Sequence, residues 1–405
     1  MADTFFLPDW PIEPNQMIWV GLLLLCGIVG GEAVKRYARL PRITGYTLAG
    51  LLLGPGAFGL IGTQLLVELR VFVDISIGLI LFELGQRLDL RWLRRTPALL
   101  LMGVAESVFA ALLVFLCLHY YFAYSALSAA VAGAIAASTS PAVLMRVASE
   151  LRAEGQVTER ALILAAINSV LAFLALTVLV PWVHLEYEGS ALTILLHPFY
   201  LLGVSLLLAF VAAWITLRIV VFVGKGAERQ FVFVIAMVVL TVGAALALKV
   251  PVLLALLAFG AMVRNFDREH HFVVVDFGRA SHLFYVILFV VTGAMLDIGL
   301  LAAVGGAALA FVLARGLGKA VGIFALAPLT GLSTRHASLL VVALAPMSGL
   351  AVIMVHETSG MYPQLSAGIA PVVLAAVVIL GLLGPVATQY ALRRAGEASP
   401  ETSRN

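Results

Sequence analysis

The sequence predicts an all-α, polytopic membrane protein with about thirteen membrane-spanning helices, and three observations carry that expectation. The chain is 62% hydrophobic and only 12% charged, with a mean hydropathy of +1.08, whereas soluble domains are about 25% charged. Aliphatic runs of spanning length, about 20 residues, recur from end to end. The basic residues gather in alternate short loops between those runs, so the net charge of +3 speaks of membrane topology and not of nucleic acid. Cys26 and Cys117 lie inside apolar runs and read as small buried hydrophobes, with no disulfide framework implied.

Taken in order, residues 1–16 read as a short extracytoplasmic lead. They contain Asp3, Asp9 and Glu13 and no Lys or Arg, the reverse of a cleavable signal's basic start. Spans follow at about 17–38, 43–61, 70–88, 97–121, 124–148, 158–183 and 194–223. Six more lie at about 229–247, 250–265, 278–298, 301–328, 336–358 and 366–391. The polar stretch 392–405 is expected to be a disordered cytoplasmic tail. With the N-terminus outside, every Lys and Arg except Arg70, Lys249, Arg315 and Lys319 falls on an inner loop or the tail. That bias orients the chain with its C-terminus inside. No soluble domain, no GxGxxG after a strand pattern and no catalytic constellation is apparent, so neither an enzyme nor a cofactor is expected.

Two spans carry helix-breaking sequence at mid-depth. Span five contains AASTSPAVLM, with Ser138, Thr139, Ser140 and Pro141; span twelve contains ALAPMSGLAV, with Pro346, Ser348 and Gly349. Proline removes a donor and clashes with the preceding turn, and glycine lowers the cost of unwinding. Backbone groups freed inside a bilayer must find partners or line a wet cavity. A lone kink is the bland reading of either break. Two at matching depth, seven spans apart, make spans one to six and eight to thirteen an inverted pair joined by span seven. Such paired discontinuous helices point to a transporter site at the midplane.

Five motifs then match a known family. RITGYTLAGLLLGPGAFGLI (42–61), LILFELGQRLDLRWLRR (79–95), STSPAVLMRV (138–147), LLALLAFGAMVRN (253–265) and LFYVILFVVTGAMLDI (283–298) resemble the Kef-type monovalent cation:proton antiporters of the sodium/proton exchanger superfamily. The resemblance implies a homodimer, a domain over 17–391, and a core (about 97–183 and 301–391) sliding against a panel (about 17–88 and 229–298). It also implies that spans five and twelve cross at their unwound centres. Typical members carry Asp-Asp or Asn-Asp in span six, the second Asp alternating between proton and cation. Here those positions are Asn168 and Ser169, in LAAINSVLAF.

An amide and a hydroxyl cannot exchange a proton for a cation, so another acid is needed. Burial can raise a carboxylate from about 4 towards working pH. Glu106 lies about 15 Å into span four at 1.5 Å per residue, near the midplane. An acid at that depth normally has a role or a partner, and the alternative to carriage is an ion pair with Lys319. Glu83 precedes Arg87 by four residues and suits an interfacial pair. His356 and Glu357 fall near the outer mouth. Arg315 and Lys319 share a face of span eleven; Lys319 is a second proton-carrier candidate, and Arg315 suits the carbonyl end of a half-helix. Asn168, Ser169, Ser138, Thr139 and Ser140 either ligate a dehydrated cation or merely hydrogen-bond between helices. His270 and His271, on an inner loop, read as surface residues or as a pH sensor.

The expectation is therefore an antiporter exchanging Na+ or K+ for protons across a bacterial-type inner membrane. Two alternatives stand beside it: Na+ symport of a small solute on the same scaffold, and a non-transporting sensor or partner subunit. Beyond the transported cation no metal is expected.

Overall fold

A computed structural model of the chain describes residues 16–187, 191–224, 226–267, 280–347, 349–361 and 363–399. The first half contains α1 (Gln16–Ala33), α2 (Arg42–Leu53), α3 (Thr63–Glu68), α4 (Arg70–Gln86), α5 (Leu90–Arg95), α6 (Pro97–Leu116), α7 (Ala126–Ala137), α8 (Pro141–Leu151) and α9 (Gln156–Tyr187). The second contains α10 (Ala191–Val223), α11 (Ala227–Ala247), α12 (Val252–Phe266), α13 (Ala280–Ala294), α14 (Gly299–Leu326), α15 (Thr334–Ala343), α16 (Gly349–Met361) and α17 (Pro363–Ala395). Among the described residues there is no strand.

Helices occupy each interval that the apolar runs mark out, two of them as broken pairs, α7–α8 and α15–α16. Among the described residues eight stretches are long and apolar enough to cross a bilayer, α6 and α14 among them; α12 and α13 are shorter apolar helices. Large apolar side chains point out of the bundle, as bilayer-facing surfaces must. On α14, Leu309, Leu313 and Leu317 are exposed while Phe311, Arg315 and Lys319 are buried. The helical repeat thus gives one stripe to lipid and the opposite stripe to the interior.

Both breaks arise as their sequences suggest. Pro141 takes the first position of α8, where its missing N–H costs nothing. Ser140 caps that helix, its hydroxyl accepting from the Val143 N–H at 3.4 Å. The chain is extended at Ser138 and Ser140. In the other pair α15 ends at Ala343 and α16 begins at Gly349. The unwound segments touch: the Ser140 N–H donates to Pro346 O at 3.0 Å. Ser348 lies outside the described residues, as do the lead to residue 15, His270 and His271, and the side chains of His356 and Glu357.

The close approach of α14 to α6 depends on two glycines one turn apart. A Cβ at Gly318 would strike the backbone of Phe109 and Ala110, and one at Gly322 the backbone of Ala105 and Glu106. Small residues at this spacing let helix backbones touch. The contact places Lys319 directly beside Glu106.

The C-terminal stretch departs from the expected disorder as far as Ser399. The Glu397 carboxylate accepts from the N–H groups of Val157 and Thr158 at 2.7 and 2.8 Å, capping α9. Glu154 N–H donates to Glu397 O, and Ser399 N–H donates to Leu151 O, both at 3.0 Å. Polar composition alone cannot distinguish a remote helix cap from a solvated tail.

Candidate functional site

The unwound segments meet where α6, α9 and α14 also converge, and every described polar residue there is buried. Glu106, Asn168 and Ser169 have no exposed surface; Arg315, Lys319 and Thr139 have 1%. Ser138 and Ser140 are buried as well. Among the described residues, the structure therefore brings together Glu106, Lys319, Arg315, Asn168, Ser169 and the 138–140 segment. Glu83 lies elsewhere, 3.9 Å from Arg87 and partly exposed, in the i,i+4 geometry its sequence allows.

Two helix C-termini end at this place, leaving carbonyls without helical partners and carrying partial negative charge. Arg315 fills the gap between them. Its Nε donates to Ala136 O at 2.9 Å, one Nη to Ala345 O at 2.9 Å, and the other Nη to Ser138 O at 2.8 Å and Leu344 O at 3.3 Å. A planar fork of five donors can serve two helix ends at once, which a single ammonium cannot. Lys319 takes the remaining carbonyl, donating to Ala137 O at 3.0 Å.

Lys319 also donates to Glu106 Oε2 at 2.5 Å, with both side chains buried. The second carboxylate oxygen accepts from Asn168 Nδ2 at 2.8 Å. Asn168 is a bracket: Nδ2 also reaches Thr139 Oγ1 at 2.9 Å, and its oxygen accepts from the Thr139 N–H at 3.1 Å. The Ser169 hydroxyl donates to Ala165 O, 2.7 Å away on its own helix, with Thr139 O at 3.2 Å. Ser138 likewise donates to Ile135 O at 2.8 Å. In this state the polar atoms offered for a cation thus satisfy helix ends and one another.

Charge at the crossing balances. Glu106 neutralises Lys319, and two half-helix C-termini of about half a negative charge each match Arg315. The N-terminal ends, at Ser140–Pro141 and Gly349, face the other way. Both line a pocket of about 20 Å³ with Ile77, Leu81, Phe289 and Thr292, room for about one water-sized species. Through Ile77, Thr292 and Gly349 that pocket adjoins a cavity of about 750 Å³, whose wall also includes Arg70, Asp74, Met295, Asp297 and Val352. Glu106 and Lys319 line neither; Thr139 and Asn168 stand between them and Ser140. The cavity-lining Ile77 and Thr292 escape sequence reading, because an apolar residue and a lone threonine in apolar helices carry no local signal.

Comparisons with known proteins agree with this architecture. The family model described as "Sodium/hydrogen exchanger, transmembrane" matches residues 20–394. YbaL of Escherichia coli (strain K12), named as a cation/proton antiporter, is 27% identical over 387 residues, covering 91% of this chain and 66% of that protein. The iron transporter MagA of Paramagnetospirillum magneticum (strain ATCC 700264 / AMB-1) is 29% identical over 136 residues, 33% of this chain and 30% of MagA. The chain thus spans about two thirds of one of these relatives, and matches less than a third of the other. Among solved structures, the sodium proton antiporter MjNhaP1 from Methanocaldococcus jannaschii at pH 8 superimposes with a TM-score of 0.71 at 18% identity, over 94% of this chain and 96% of that one. A second MjNhaP1 structure, an electron-microscopy map, gives 0.72 at 18% identity over 96% and 100%. With a family match across nearly its whole length, the chain belongs to the sodium/hydrogen exchanger family of membrane transporters.

Proposed function

We propose that this protein exchanges a monovalent cation, Na+ or K+, for a proton, and that the Glu106–Lys319 pair is the exchanging group. One observation carries the reading: a carboxylate and an ammonium, both fully buried, stand 2.5 Å apart where two broken helices meet. Loss of a proton from Lys319 would leave Glu106 with an uncompensated charge in a dry interior, a state worth several kcal/mol of penalty. A cation bound at Glu106 removes that penalty. The step balances: Lys–NH3+ paired with the carboxylate, plus M+, becomes Lys–NH2, a released H+ and M+ on the carboxylate. Asn168 is the gatepost, since a cation in the small pocket meets Glu106 only past the Asn168–Thr139 bracket.

The site carries the same net charge in both states, so the exchange is one-for-one and electroneutral. In this reading the core (about 97–183 and 301–391) moves as an elevator against the panel (about 17–88 and 229–298). Thirteen spans form two inverted repeats in a homodimer, set in a plasma membrane with the N-terminus outside and the C-terminus cytoplasmic. Ser169, where related carriers hold a carboxylate, contributes an oxygen and no charge.

Purified protein in liposomes holding a pH dye tests this. Na+ or K+ addition drives proton flux in the wild type, and Glu106→Gln abolishes it. Undiminished flux in Glu106→Gln removes the pair from the mechanism. The cavity of about 750 Å³, far larger than one ion needs and within the range of small-molecule sites, favours a second reading, cation-coupled uptake of a small solute. Solute-dependent Na+ flux with no proton movement would select it.

A further inference from the structure

The boundary between core and panel is open at one end and closed at the other. At the outer ends of α2, α4 and α13 the large cavity separates them from α16. At the inner ends of α2 and α13 a polar network fastens those two helices to α8. Glu150, near the end of α8, accepts from the Arg42 N–H and guanidinium, each at 3.2 Å, and lies 3.5 Å from Lys35. Arg42 also pairs with Glu32 at 2.5 Å. One turn earlier on α8, Arg146 Nη2 lies 3.1 Å from His282 Nδ1. Its guanidinium rests 5.6 Å from the Tyr285 ring, and the Tyr46 ring is 6.1 Å from the imidazole. Arg146 and Glu150 belong to the core; all their partners belong to the panel.

Arginine has donors only, so Nδ1 accepts and the imidazole is neutral in this state. The hold on Arg146 comes from uncharged partners, the His282 ring and the Tyr46 side chain. The buried Arg146 Nε–H meets no acceptor among the described residues, and a neutral ring stands where a carboxylate would grip harder. Around His282 the cluster holds three cations, Lys35, Arg42 and Arg146, against two carboxylates, Glu32 and Glu150. From α4, Glu83 and Arg87 act on Tyr285 with opposite signs. A proton on His282 would remove the acceptor and set a second cation against the guanidinium.

We propose that Arg146, Glu150 and His282 form the inner gate, a latch between α8 and the panel that protonation of His282 releases. α8 links this latch directly to the crossing: it starts at Pro141, on the small pocket, and ends at Leu151, beside the latch. Histidine titrates between about pH 5 and 8, so acidification of the inner side opens the gate. The three are positioning residues and rest on the two-body movement proposed above.

A cysteine at Ala142, on the pocket wall, reports the gate in protein with Cys26 and Cys117 changed to Ser. Inside-out vesicles are treated with a membrane-impermeant maleimide, and each rate is divided by that of right-side-out vesicles at the same pH. The ratio should rise severalfold as the pH falls from about 8 to 5, the range over which histidine titrates. His282→Gln, an acceptor without charge, should stay low at both pH values and His282→Arg high at both. Glu150→Arg, which sets a cation against Arg42 and Lys35, should be high at both pH values. Both histidine variants following the wild type would overturn the gate. A pH-dependent ratio without cation-driven proton flux would instead sink the antiport reading and leave the gate standing.

Discussion

The two kinds of helix end at the crossing are treated in opposite ways. The C-terminal ends of α7 and α15 are held by two buried cations, with Arg315 alone donating to four of their carbonyls within 3.3 Å. Among the described residues the N-terminal ends of α8 and α16 meet no acid; a serine cap and a glycine face a small pocket instead. Rigidity belongs to the first pair of ends and access to the second. The one carboxylate nearby among the described residues, Glu106, sits behind the rigid side and reaches the pocket through Asn168 and Thr139. In the proposed reading the transport site is neutral where the ion arrives and charged one layer deeper.

Removing the rigid side should have the largest effect. Arg315→Met strands carbonyls on two helix ends, each unsatisfied buried group costing about 1–3 kcal/mol. A loss of roughly 4 kcal/mol or more is expected, read as a fall in thermal midpoint in detergent and poor yield. Arg315→Lys should recover only part, since an ammonium cannot span both ends.

Glu106→Gln comes next, leaving Lys319 buried without its counter-charge at about 3–5 kcal/mol. Adding Lys319→Met should restore much of the thermal midpoint while exchange stays absent. Recovery of stability without recovery of flux separates the pair's two roles.

Gly322→Ala presses α14 off the Glu106 backbone and should cost about 1–3 kcal/mol through overpacking. Because it shifts Lys319, cation-driven flux should fall more than stability does. On the access side, Ser140→Ala removes one cap bond of 3.4 Å and should cost no more than about 1 kcal/mol, with flux retained. If Ser140→Ala proved as damaging as Arg315→Met, the contrast between the two kinds of end would be wrong.

Much of this arrangement was legible before any coordinates. STSP and APMSG stand out because proline, glycine and hydroxyls interrupt runs that are otherwise aliphatic. Glu106 stands out as a lone acid deep in such a run, and the four-residue spacing of Arg315 and Lys319 places them on one face. What stayed hidden depends on long-range partners or on backbone. Glu106 and Lys319 are 213 residues apart, so their pairing was one option among several. The carbonyls that hold Arg315 have no side-chain signature. The Arg146–His282 contact joins residues 136 apart, in helices whose polar residues otherwise read as inner-loop charge. Glu397 lies 240 residues from the N–H it caps, in a stretch whose composition resembles disorder.

The central claim is that Lys319 gives up the proton that a cation replaces at Glu106, keeping the site's charge constant. Its most direct test is Na+-driven proton flux in liposomes with the membrane potential clamped at zero and at about −100 mV, under identical ion gradients. A net charge moved per cycle would feel about 2.3 kcal/mol over that span. The account predicts equal fluxes at both potentials, and none at either in Glu106→Gln; a flux that changes severalfold with potential would contradict it.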